Sequence, residues 1–306
     1  MERRGGHRAP AARAWHRALD GADVPDVPAP PPGRAPHGRR RPEPRDDAPL
    51  RPRRSGDSRR GRAHREALAP LGDPRLLVPV AQRGRDPADR RARVSILIDE
   101  ATRILVLGIT GREAVSFTRD ILDYGGQVVA GVTPGRGGRD VHGVPVYDTV
   151  REAVEAHEPD AAVIAVPPRA LRDASFECIA YGIPLVVIVT ERVPRLDAAQ
   201  VVELAAREGV RVIGPNSMGL ISPGKAKVGS VGGPAADTAR SFVPGSVGIM
   251  SRSGGMTTEI ASLLVQHGLG VSTAISIGGD PIIGSSFASL LPLFEEDPET
   301  EAVVTF

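Results

Sequence analysis

The chain has 306 residues, enough for two ordinary domains, and its single cysteine excludes a framework of internal disulfides. Because we find no apolar run of the roughly 20 residues that span a bilayer and no apolar core of a secretory signal, we expect a cytoplasmic protein without a membrane partner. The formal net charge is +2, but residues 1–93 carry 23 arginines, no lysine and 12 acidic residues, whereas residues 94–306 carry 16 basic and 25 acidic residues.

The basic segment 1–93 differs in composition from the rest of the chain. It is rich in arginine, alanine, proline and glycine and shows neither helical nor strand periodicity, so we expect it to be disordered. Three interpretations stay open: translation of GC-rich DNA upstream of a true start at Val94, a basic arm that binds nucleic acid, and an organelle transit peptide, against which the 12 acidic residues argue. The first is favoured, so no nucleic-acid partner is expected, and all three place a boundary near Val94.

From Val94 onward, short apolar runs typical of buried strands alternate with amphipathic segments typical of helices. Strands are predicted over Arg103–Gly108, Gln127–Val132, a short stretch from Val146, Ala161–Val166, Leu185–Thr190 and Val210–Ile213. Helices are predicted over Arg112–Tyr124, Thr149–His157, Arg169–Tyr181 and Asp197–Glu208. This alternation is typical of a parallel, doubly wound α/β sheet, which binds ligands at the carboxyl ends of its strands.

A second α/β unit is predicted after a loop-rich connection over residues 214–244. Its strands are predicted over Ser246–Ser251, Val271–Ile277 and Glu301–Phe306, and its helices over Met256–His267 and Ser286–Phe294. A parallel unit needs a further crossover helix to cover its sheet, so we expect this domain to continue beyond Phe306. The predicted domains are residues 94–240 and residues 241–306.

The run Gly108-Ile109-Thr110-Gly111 follows the first predicted strand and opens the first helix. Its glycines permit a tight turn, and the N–H groups at a helix start bind phosphate oxygens. The spacing departs from the dinucleotide-binding fingerprint, so a glycine turn with a purely structural role stays open as an alternative.

A glycine-rich loop over residues 131–138 ends the second strand and contains Arg136 but no carboxylate. An NAD site places Asp or Glu at this point to bind the ribose hydroxyls. A cation instead suits a phosphorylated ribose, as in CoA or NADP. The loop therefore disfavours NAD, and a solvated arginine without a ligand remains the alternative.

Polar residues also follow later strands. Glu191, at the end of the fifth strand, is a candidate to bind a ligand hydroxyl or to cap a helix, and Asn216 is a candidate site group or a turn residue. Ser251-Arg252-Ser253-Gly254-Gly255 lies between a strand and a helix, where two hydroxyls, an arginine and helix-start N–H groups predict an anion site. Gly278-Gly279-Asp280-Pro281 follows the next strand at the same edge.

These motifs occur in the same order in the alpha subunits of ADP/GDP-forming succinate–CoA ligases, a family that the chain resembles over residues 94–306. The matching stretches are VSILID from Val94, GITG at 108–111, GVTPGRGG at 131–138, VPVYDTVREAV at 144–154, VTER at 189–192, GPN at 214–216, SRSGGMTTE at 251–259 and IGGDP at 277–281. The resemblance implies a Rossmann-like CoA-binding domain followed by a flavodoxin-like domain. It also implies CoA contacts through Thr110, Gly111, Arg112, Glu113, Arg136, Val189, Thr190 and Glu191.

The resemblance further implies a reaction in which an acid, CoA and a nucleoside triphosphate give acyl-CoA, a nucleoside diphosphate and phosphate through a phosphohistidine. ATP or GTP with Mg²⁺ is expected on a separate beta subunit of the ATP-grasp type, and no metal site is expected on this chain. The acid is expected to be a small carboxylic acid such as succinate. Contacts to phosphate or substrate are expected from Ser251, Ser253, Gly254 and Thr258, although the family commonly has a tyrosine where Thr258 stands.

The phosphorylated histidine of the family lies well downstream of the IGGDP stretch, and none of the seven histidines of this chain matches it. We therefore expect that histidine beyond Phe306, no catalytic residue within residues 1–306, and no turnover by this fragment alone. Two other functions stay open. One is a catalytically silent CoA-binding or interaction protein, and the other is an NADP-dependent oxidoreductase, which only Arg136 favours.

Overall fold

The computed structural model describes residues 95–306, so the predictions made for residues 1–93 and for a start at Val94 lie outside the described range. The first seven strands are β1 (Arg103–Leu107), β2 (Gln127–Val132), β3 (Asp140–Val141), β4 (Val144–Tyr147), β5 (Ala161–Ile164), β6 (Leu185–Ile188) and β7 (Arg211–Ile213). They form one sheet in the order β3-β4-β2-β1-β5-β6-β7, in which only β3 and β4 pair antiparallel. The predicted doubly wound sheet is confirmed.

Both faces of this sheet are buried, which explains the continuous apolar runs of its strands. In β1, Ile104 and Val106 pack into one hydrophobic core, whereas Leu105 and Leu107 pack into another. Four helices follow strands of the sheet: α1 (Arg112–Asp123), α2 (Val150–His157), α3 (Pro168–Ala180) and α4 (Arg195–Glu208). Helices on both faces are the usual cover of a parallel sheet.

Local sequence signals set the ends of several elements. Thr149 and Glu152 form a capping box at the start of α2, in which each side chain accepts a hydrogen bond from the other residue's backbone N–H. Helix α4 ends at Gly209, whose φ of 69° lies in the left-handed region that favours glycine. Strand β5 ends at Ile164, two residues before the predicted end, and Pro167-Pro168 then opens α3, because proline offers no N–H to a sheet ladder.

Five further strands form a second sheet: β8 (Gly219–Ser222), β9 (Ala226–Gly229), β10 (Pro244–Ser251), β11 (Val271–Ser276) and β12 (Ala302–Thr305). Their order is β12-β10-β11-β8-β9. The pairs β12-β10 and β10-β11 are parallel, whereas β8 pairs antiparallel with both β11 and β9. The helices of this part are α5 (Ala235–Ser241), α6 (Gly254–Gln266) and α7 (Phe287–Glu296).

The prediction of a loop-rich connection over residues 214–244 is wrong, because β8, β9 and α5 lie within it. Two features hid the strands. Each is only four residues long, and β9 contains Lys227, whose buried side chain breaks the apolar pattern. The chain thus joins the second sheet before residue 241, while the division into domains 94–240 and 241–306 stays a prediction.

The two sheets share one hydrophobic core. Ile104 and Val106 of β1 belong to the same buried cluster as Leu220 of β8, Met250 of β10 and Ile275 of β11. Packing into a common core holds the two sheets in a fixed relation. Within residues 95–306, no helix is long and apolar enough to cross a membrane.

Candidate functional site

The turn between β1 and α1 brings backbone N–H groups to the carboxyl edge of the first sheet. Gly108 has a φ of +78°, and a Cβ at this position would lie 2.7 Å from the Ala165 carbonyl oxygen, so only glycine fits the turn. The Gly111 N–H donates to the Gly108 carbonyl oxygen over 2.8 Å. Gly111 is the N-cap of α1 and provides no side-chain cap, so the first N–H groups of the helix remain available to an anion.

Thr110 ties this turn to the end of β2. Its hydroxyl donates to the Thr133 hydroxyl over 3.3 Å, and the Thr133 hydroxyl donates to the Val132 carbonyl oxygen over 2.8 Å. The neighbouring residues Arg112 and Glu113 are exposed in the first turn of α1. The structure therefore brings the GITG turn and the loop after β2 into contact.

The loop after β2 is held in shape by Asp148, a residue that the sequence analysis missed. Its Oδ1 accepts hydrogen bonds from the backbone N–H groups of Arg136, over 3.0 Å, and Gly137, over 2.9 Å. A Cβ on Gly137 would lie 2.6 Å from Asp148 Oδ2, so the close approach requires glycine. The only signal in the sequence was an aspartate directly before the Thr149 cap, which does not reveal its partner.

The side chain of Arg136 is exposed, and its guanidinium has no carboxylate partner within residues 95–306. Asp148 already occupies the backbone N–H groups of Arg136 and Gly137. The guanidinium is therefore the cationic group with which this loop can meet a phosphate.

The predicted residues after β6 lie at the same edge of the sheet. The Val189 N–H donates to the Ile164 carbonyl oxygen over 3.1 Å, and the Thr190 hydroxyl donates to the Val166 carbonyl oxygen over 2.8 Å. Glu191 is exposed and lies 3.5 Å from the guanidinium of Arg192. Because β5 separates β6 from β1, these residues lie across the edge from Thr110.

Asn216 connects this edge to the second sheet. Its backbone N–H donates to the Thr190 carbonyl oxygen over 2.9 Å, and its side-chain Nδ2 donates to Asp280 Oδ1 over 3.0 Å. Asp280 Oδ2 also accepts from the Val193 N–H over 3.4 Å. The Gly279 N–H donates to the Asn216 carbonyl oxygen over 2.9 Å. The carboxyl ends of β6 and β11 are thus joined through one asparagine and one aspartate.

The serines of the SRSGG run mainly shape the turn before α6. The Ser251 side chain is buried, donates to the Ser253 carbonyl oxygen over 2.8 Å and accepts from the Ser253 N–H over 3.0 Å. The Ser253 hydroxyl is the N-cap of α6 and accepts from the Met256 N–H over 3.4 Å. Gly254 lies against Met218, and a Cβ there would lie 2.2 Å from the sulfur.

Arg252 was predicted to form part of an anion site, but its guanidinium binds backbone carbonyl oxygens instead. Its guanidinium donates to the carbonyl oxygens of Gly278, over 3.3 Å, Gly279, over 3.4 Å, and Asp280, over 2.6 Å. Arg252 thereby holds the GGDP loop beside the start of α6. Thr258 is partly buried in the second turn of α6.

Nucleophiles and metal ligands are scarce in the described part of the chain. Cys178 is fully buried, and burial raises the pKa of its thiol, so it is not a reactive thiolate. Residues 95–306 contain no group of three or more His, Cys, Asp or Glu side chains that could hold a metal ion.

The three described histidines are each engaged away from the start of α6. His142 Nε2 donates to the Val115 carbonyl oxygen over 3.0 Å, and Arg119 donates to His142 Nδ1 over 3.2 Å. His157 Nε2 lies 2.8 Å from the Tyr147 hydroxyl oxygen. His267 Nδ1 donates over 2.8 Å to the carbonyl oxygen of Leu263, within the last turn of α6. None of them lies beside the SRSGG run.

Two family models match the chain in the order of its two sheets. The model described as CoA binding domain matches residues 99–192, and the model described as Succinyl-CoA ligase like flavodoxin domain matches residues 244–306. The first match contains the GITG turn, Arg136 and Val189–Glu191. The second contains the SRSGG run and the GGDP loop.

Curated relatives include alpha subunits of acid–CoA ligases. The chain is 46% identical over 214 residues to the succinate–CoA ligase [ADP-forming] subunit alpha of Methanothermobacter thermautotrophicus, covering 70% of this chain and 71% of that protein. It is 45% identical over 215 residues to the malate–CoA ligase subunit alpha of Methylorubrum extorquens, covering 69% of this chain and 71% of that protein.

Among solved structures, the ATP citrate lyase of Methanothrix soehngenii in complex with citrate and coenzyme A matches with a TM-score of 0.63 and 24% identity. The match covers 70% of this chain and 37% of the lyase chain, and it supports the fold alone. Both family models, the identity to curated alpha subunits and the order of the motifs agree with one another. The chain therefore belongs to the alpha-subunit family of succinate–CoA ligases, with a CoA-binding domain and a flavodoxin-like domain.

Proposed function

We propose that the carboxyl edge of the first sheet binds CoA, with Arg136 pairing with a phosphate of the CoA nucleotide. The observation that carries this proposal is the exposed guanidinium of Arg136, which has no carboxylate partner within residues 95–306, on a loop held in place by Asp148. The uncapped start of α1 supports it, because backbone N–H groups there complement phosphate oxygens. Thr110, Gly111, Arg112 and Glu113 are the proposed contacts at this turn.

The residues after β6 are proposed to complete the site. The Thr190 hydroxyl is engaged with the Val166 carbonyl oxygen, so Val189 and Thr190 are proposed to contact CoA through backbone and apolar atoms. The exposed carboxylate of Glu191 is proposed to accept a hydrogen bond from a CoA hydroxyl or amide.

The test is a calorimetric titration of the full chain with CoA, with dephospho-CoA and with NADP. A charge-assisted pair contributes about 1.5–3 kcal/mol, so Arg136→Ala should weaken CoA binding about tenfold or more. If Arg136 pairs with the 3′-phosphate, Arg136→Ala should weaken the binding of dephospho-CoA much less than the binding of CoA. Arg151→Ala, which removes an exposed arginine of α2, is the matched control and should leave the CoA affinity unchanged.

Equal CoA affinity in the parent and in Arg136→Ala would reject the assignment of Arg136. Tighter binding of NADP than of CoA would favour the oxidoreductase instead. We regard that function as the weaker candidate, because it rests on Arg136 alone.

We further propose that the chain acts as the alpha subunit of an acid–CoA ligase that forms a nucleoside diphosphate. The reaction would join an acid and CoA at the expense of a nucleoside triphosphate, releasing phosphate. A beta subunit of the ATP-grasp type would hold ATP or GTP with Mg²⁺. The support is the identity to alpha subunits whose names specify succinate or malate as the acid. A small carboxylic acid such as succinate is therefore the proposed acid substrate.

The start of α6 is proposed to receive the phosphate that moves between acid and nucleotide. Ser251, Ser253, Gly254 and Thr258 are the proposed residues of this site. Because the two serines fix the turn and Arg252 binds the GGDP loop, the groups left for an anion are the backbone N–H groups of the first turn of α6 and the hydroxyl of Ser253. This arrangement suits an anion and includes no histidine.

A catalytically silent CoA-binding protein is the second candidate function. The observation that favours it is the placement of His142, His157 and His267, each of which is engaged away from the start of α6. Under either function residues 1–306 are proposed to bind CoA, so CoA binding does not distinguish the two candidate functions. Assays of phosphorylation and turnover in the presence of a beta subunit distinguish them.

A further inference from the structure

A cavity of about 270 Å³ lies at the amino-terminal side of β7, away from the proposed CoA site. One wall is the last turn of α4, and the other is the loop before α7 with the first turn of that helix. The lining residues are Val202, Ala205, Ala206, Gly209, Val210, Arg211, Val212, Gly284, Ser285 and Ser289.

The loop that forms the second wall is held to β7 by direct contacts at the base of the cavity. The Ser285 hydroxyl donates to the Val212 carbonyl oxygen over 2.7 Å, and the Gly284 N–H donates to the Gly214 carbonyl oxygen over 2.9 Å. A Cβ on Gly284 would lie 2.4 Å from Val212 Cβ, so this loop packs directly on β7. Ala206 and Ser289 are exposed, so the cavity opens to solvent between α4 and α7. It is thus a preformed crevice.

Arg211 is the only charged residue that lines the cavity, and its side chain is partly buried. Burial lowers the pKa of its guanidinium, a sign that water alone solvates the charge incompletely. Within residues 95–306 the guanidinium has no carboxylate or hydrogen-bond partner, although Glu208 lies only three positions away in the chain. A partly desolvated arginine without a protein partner gains from contact with an anionic group.

The remaining walls determine what kind of anion fits. Val202, Ala205, Val210 and Val212 present aliphatic side chains, whereas the hydroxyls of Ser285 and Ser289 already donate to backbone carbonyl oxygens. Because a water molecule takes about 30 Å³ of liquid volume, the cavity has room for a ligand of several heavy atoms. A ligand with one anionic group and a short aliphatic part matches these features.

We propose that this cavity is a binding site for a short-chain aliphatic carboxylate, held by Arg211. The site is independent of the proposed CoA site, since it lies at the opposite end of the parallel strands. It shares no residue with the CoA contacts or with the turn before α6.

The test is an NMR titration of the isotopically labelled full chain with butyrate, in parallel with n-butanol and with inorganic phosphate. Saturable shifts are expected at the amides of Ala205, Val210 and Gly284 with butyrate. Arg211→Met removes the charge at similar length and should weaken butyrate binding about tenfold or more. Arg207→Met, at an exposed arginine of α4 outside the cavity, should leave butyrate binding unchanged.

A second variant keeps the proposal testable if Arg211→Met fails to fold. Ala206→Leu keeps a good helix former on the exposed surface of α4 and narrows the mouth of the cavity, so it too should weaken butyrate binding. Absence of saturable shifts in the parent would overturn the proposal. Butyrate binding that is unchanged in both Arg211→Met and Ala206→Leu would also overturn it. Equal binding of n-butanol would show that the charge plays no role, and equal binding of phosphate would show that the aliphatic walls play none; either result would overturn the proposal. CoA titrated into the same samples reports separately on the other site.

Discussion

The side-chain Nδ2 of Asn216 donates to Asp280 Oδ1 over 3.0 Å, across a separation of 64 residues in the chain. Asn216 also binds the Thr190 carbonyl oxygen through its backbone N–H, and the Asp280 carbonyl oxygen accepts from Arg252. This single contact therefore connects a proposed CoA residue with the loop beside the proposed phosphate site. A substitution of either residue should therefore disturb the carboxyl ends of both β6 and β11.

Asp280→Ala should lower the free energy of unfolding by about 0.5–1.5 kcal/mol, because the amide of Asn216 and the Val193 N–H both lose their acceptor. Urea unfolding of Asp280→Ala, Asn216→Ala and the double variant gives the coupling between the two side chains, expected at about 0.5 kcal/mol or more. Asp237→Ala is the control, since Asp237 pairs with Arg240 on an exposed helix surface and should matter little. Strict additivity of the two single changes would show that the contact contributes nothing.

Gly108→Ala should destabilise the protein far more than Gly125→Ala. Both glycines have positive φ values, +78° and +92°, so each alanine carries a conformational cost of about 1–2 kcal/mol. At Gly108 the new Cβ would also lie 2.7 Å from the Ala165 carbonyl oxygen, whereas at Gly125 nothing lies within 4 Å. Thermal or urea unfolding measures the difference, and equal losses at the two positions would mean that the turn after β1 can relax.

Lys227 should make stability depend on pH in the alkaline range. Its buried side chain donates to the Gly233 carbonyl oxygen and to Thr238 Oγ1, and burial lowers the pKa of the amine to about 8. Between about pH 8 and the ordinary lysine pKa of about 10.4, the unfolded state binds more protons than the folded state. Stability should therefore rise with pH in this window, by up to about 3 kcal/mol from this group.

The measurement is urea unfolding at several pH values between 7 and 10.5, comparing the parent with Lys227→Met. The stability of the parent relative to Lys227→Met should increase as pH rises, because the methionine has no proton to lose. Lys225→Met is a matched control at the only other lysine of the chain, and it should keep the dependence shown by the parent. A pH-independent difference between the parent and Lys227→Met would contradict the lowered pKa.

Residues 1–306 should not form phosphohistidine. In the proposed reaction an imidazole attacks the phosphoryl group and later releases it. None of His142, His157 and His267 lies beside the SRSGG run. Incubation with a succinate–CoA ligase beta subunit and labelled ATP should leave no acid-labile phosphate on the chain. A complete succinate–CoA ligase alpha subunit treated in the same way is the positive control, and stoichiometric label on residues 1–306 would overturn the proposed site.

Much of the first sheet could be predicted from the sequence, because strands buried on both faces are continuous apolar runs. The strand Gln127–Val132 was predicted with its observed bounds, and helix α1 ends one residue before its predicted end. Strands β8 and β9 were missed, since each has only four residues and β9 contains a buried lysine. Strand β8 depends on pairing with β11, which lies more than forty residues downstream, and β9 depends in turn on pairing with β8.

By itself the sequence determined the doubly wound fold, the glycine turn after β1 and the arginine on the loop after β2, because each depends on residues close together in the chain. Only the tertiary structure decided how polar groups are used. Arg252 binds the carbonyl oxygens of the GGDP loop, Asp148 holds the Arg136 loop, and Arg211 lines a cavity without a carboxylate partner among the described residues. Hydrogen-bond partners and burial depend on segments brought together by folding, and a single sequence carries no local signal for them.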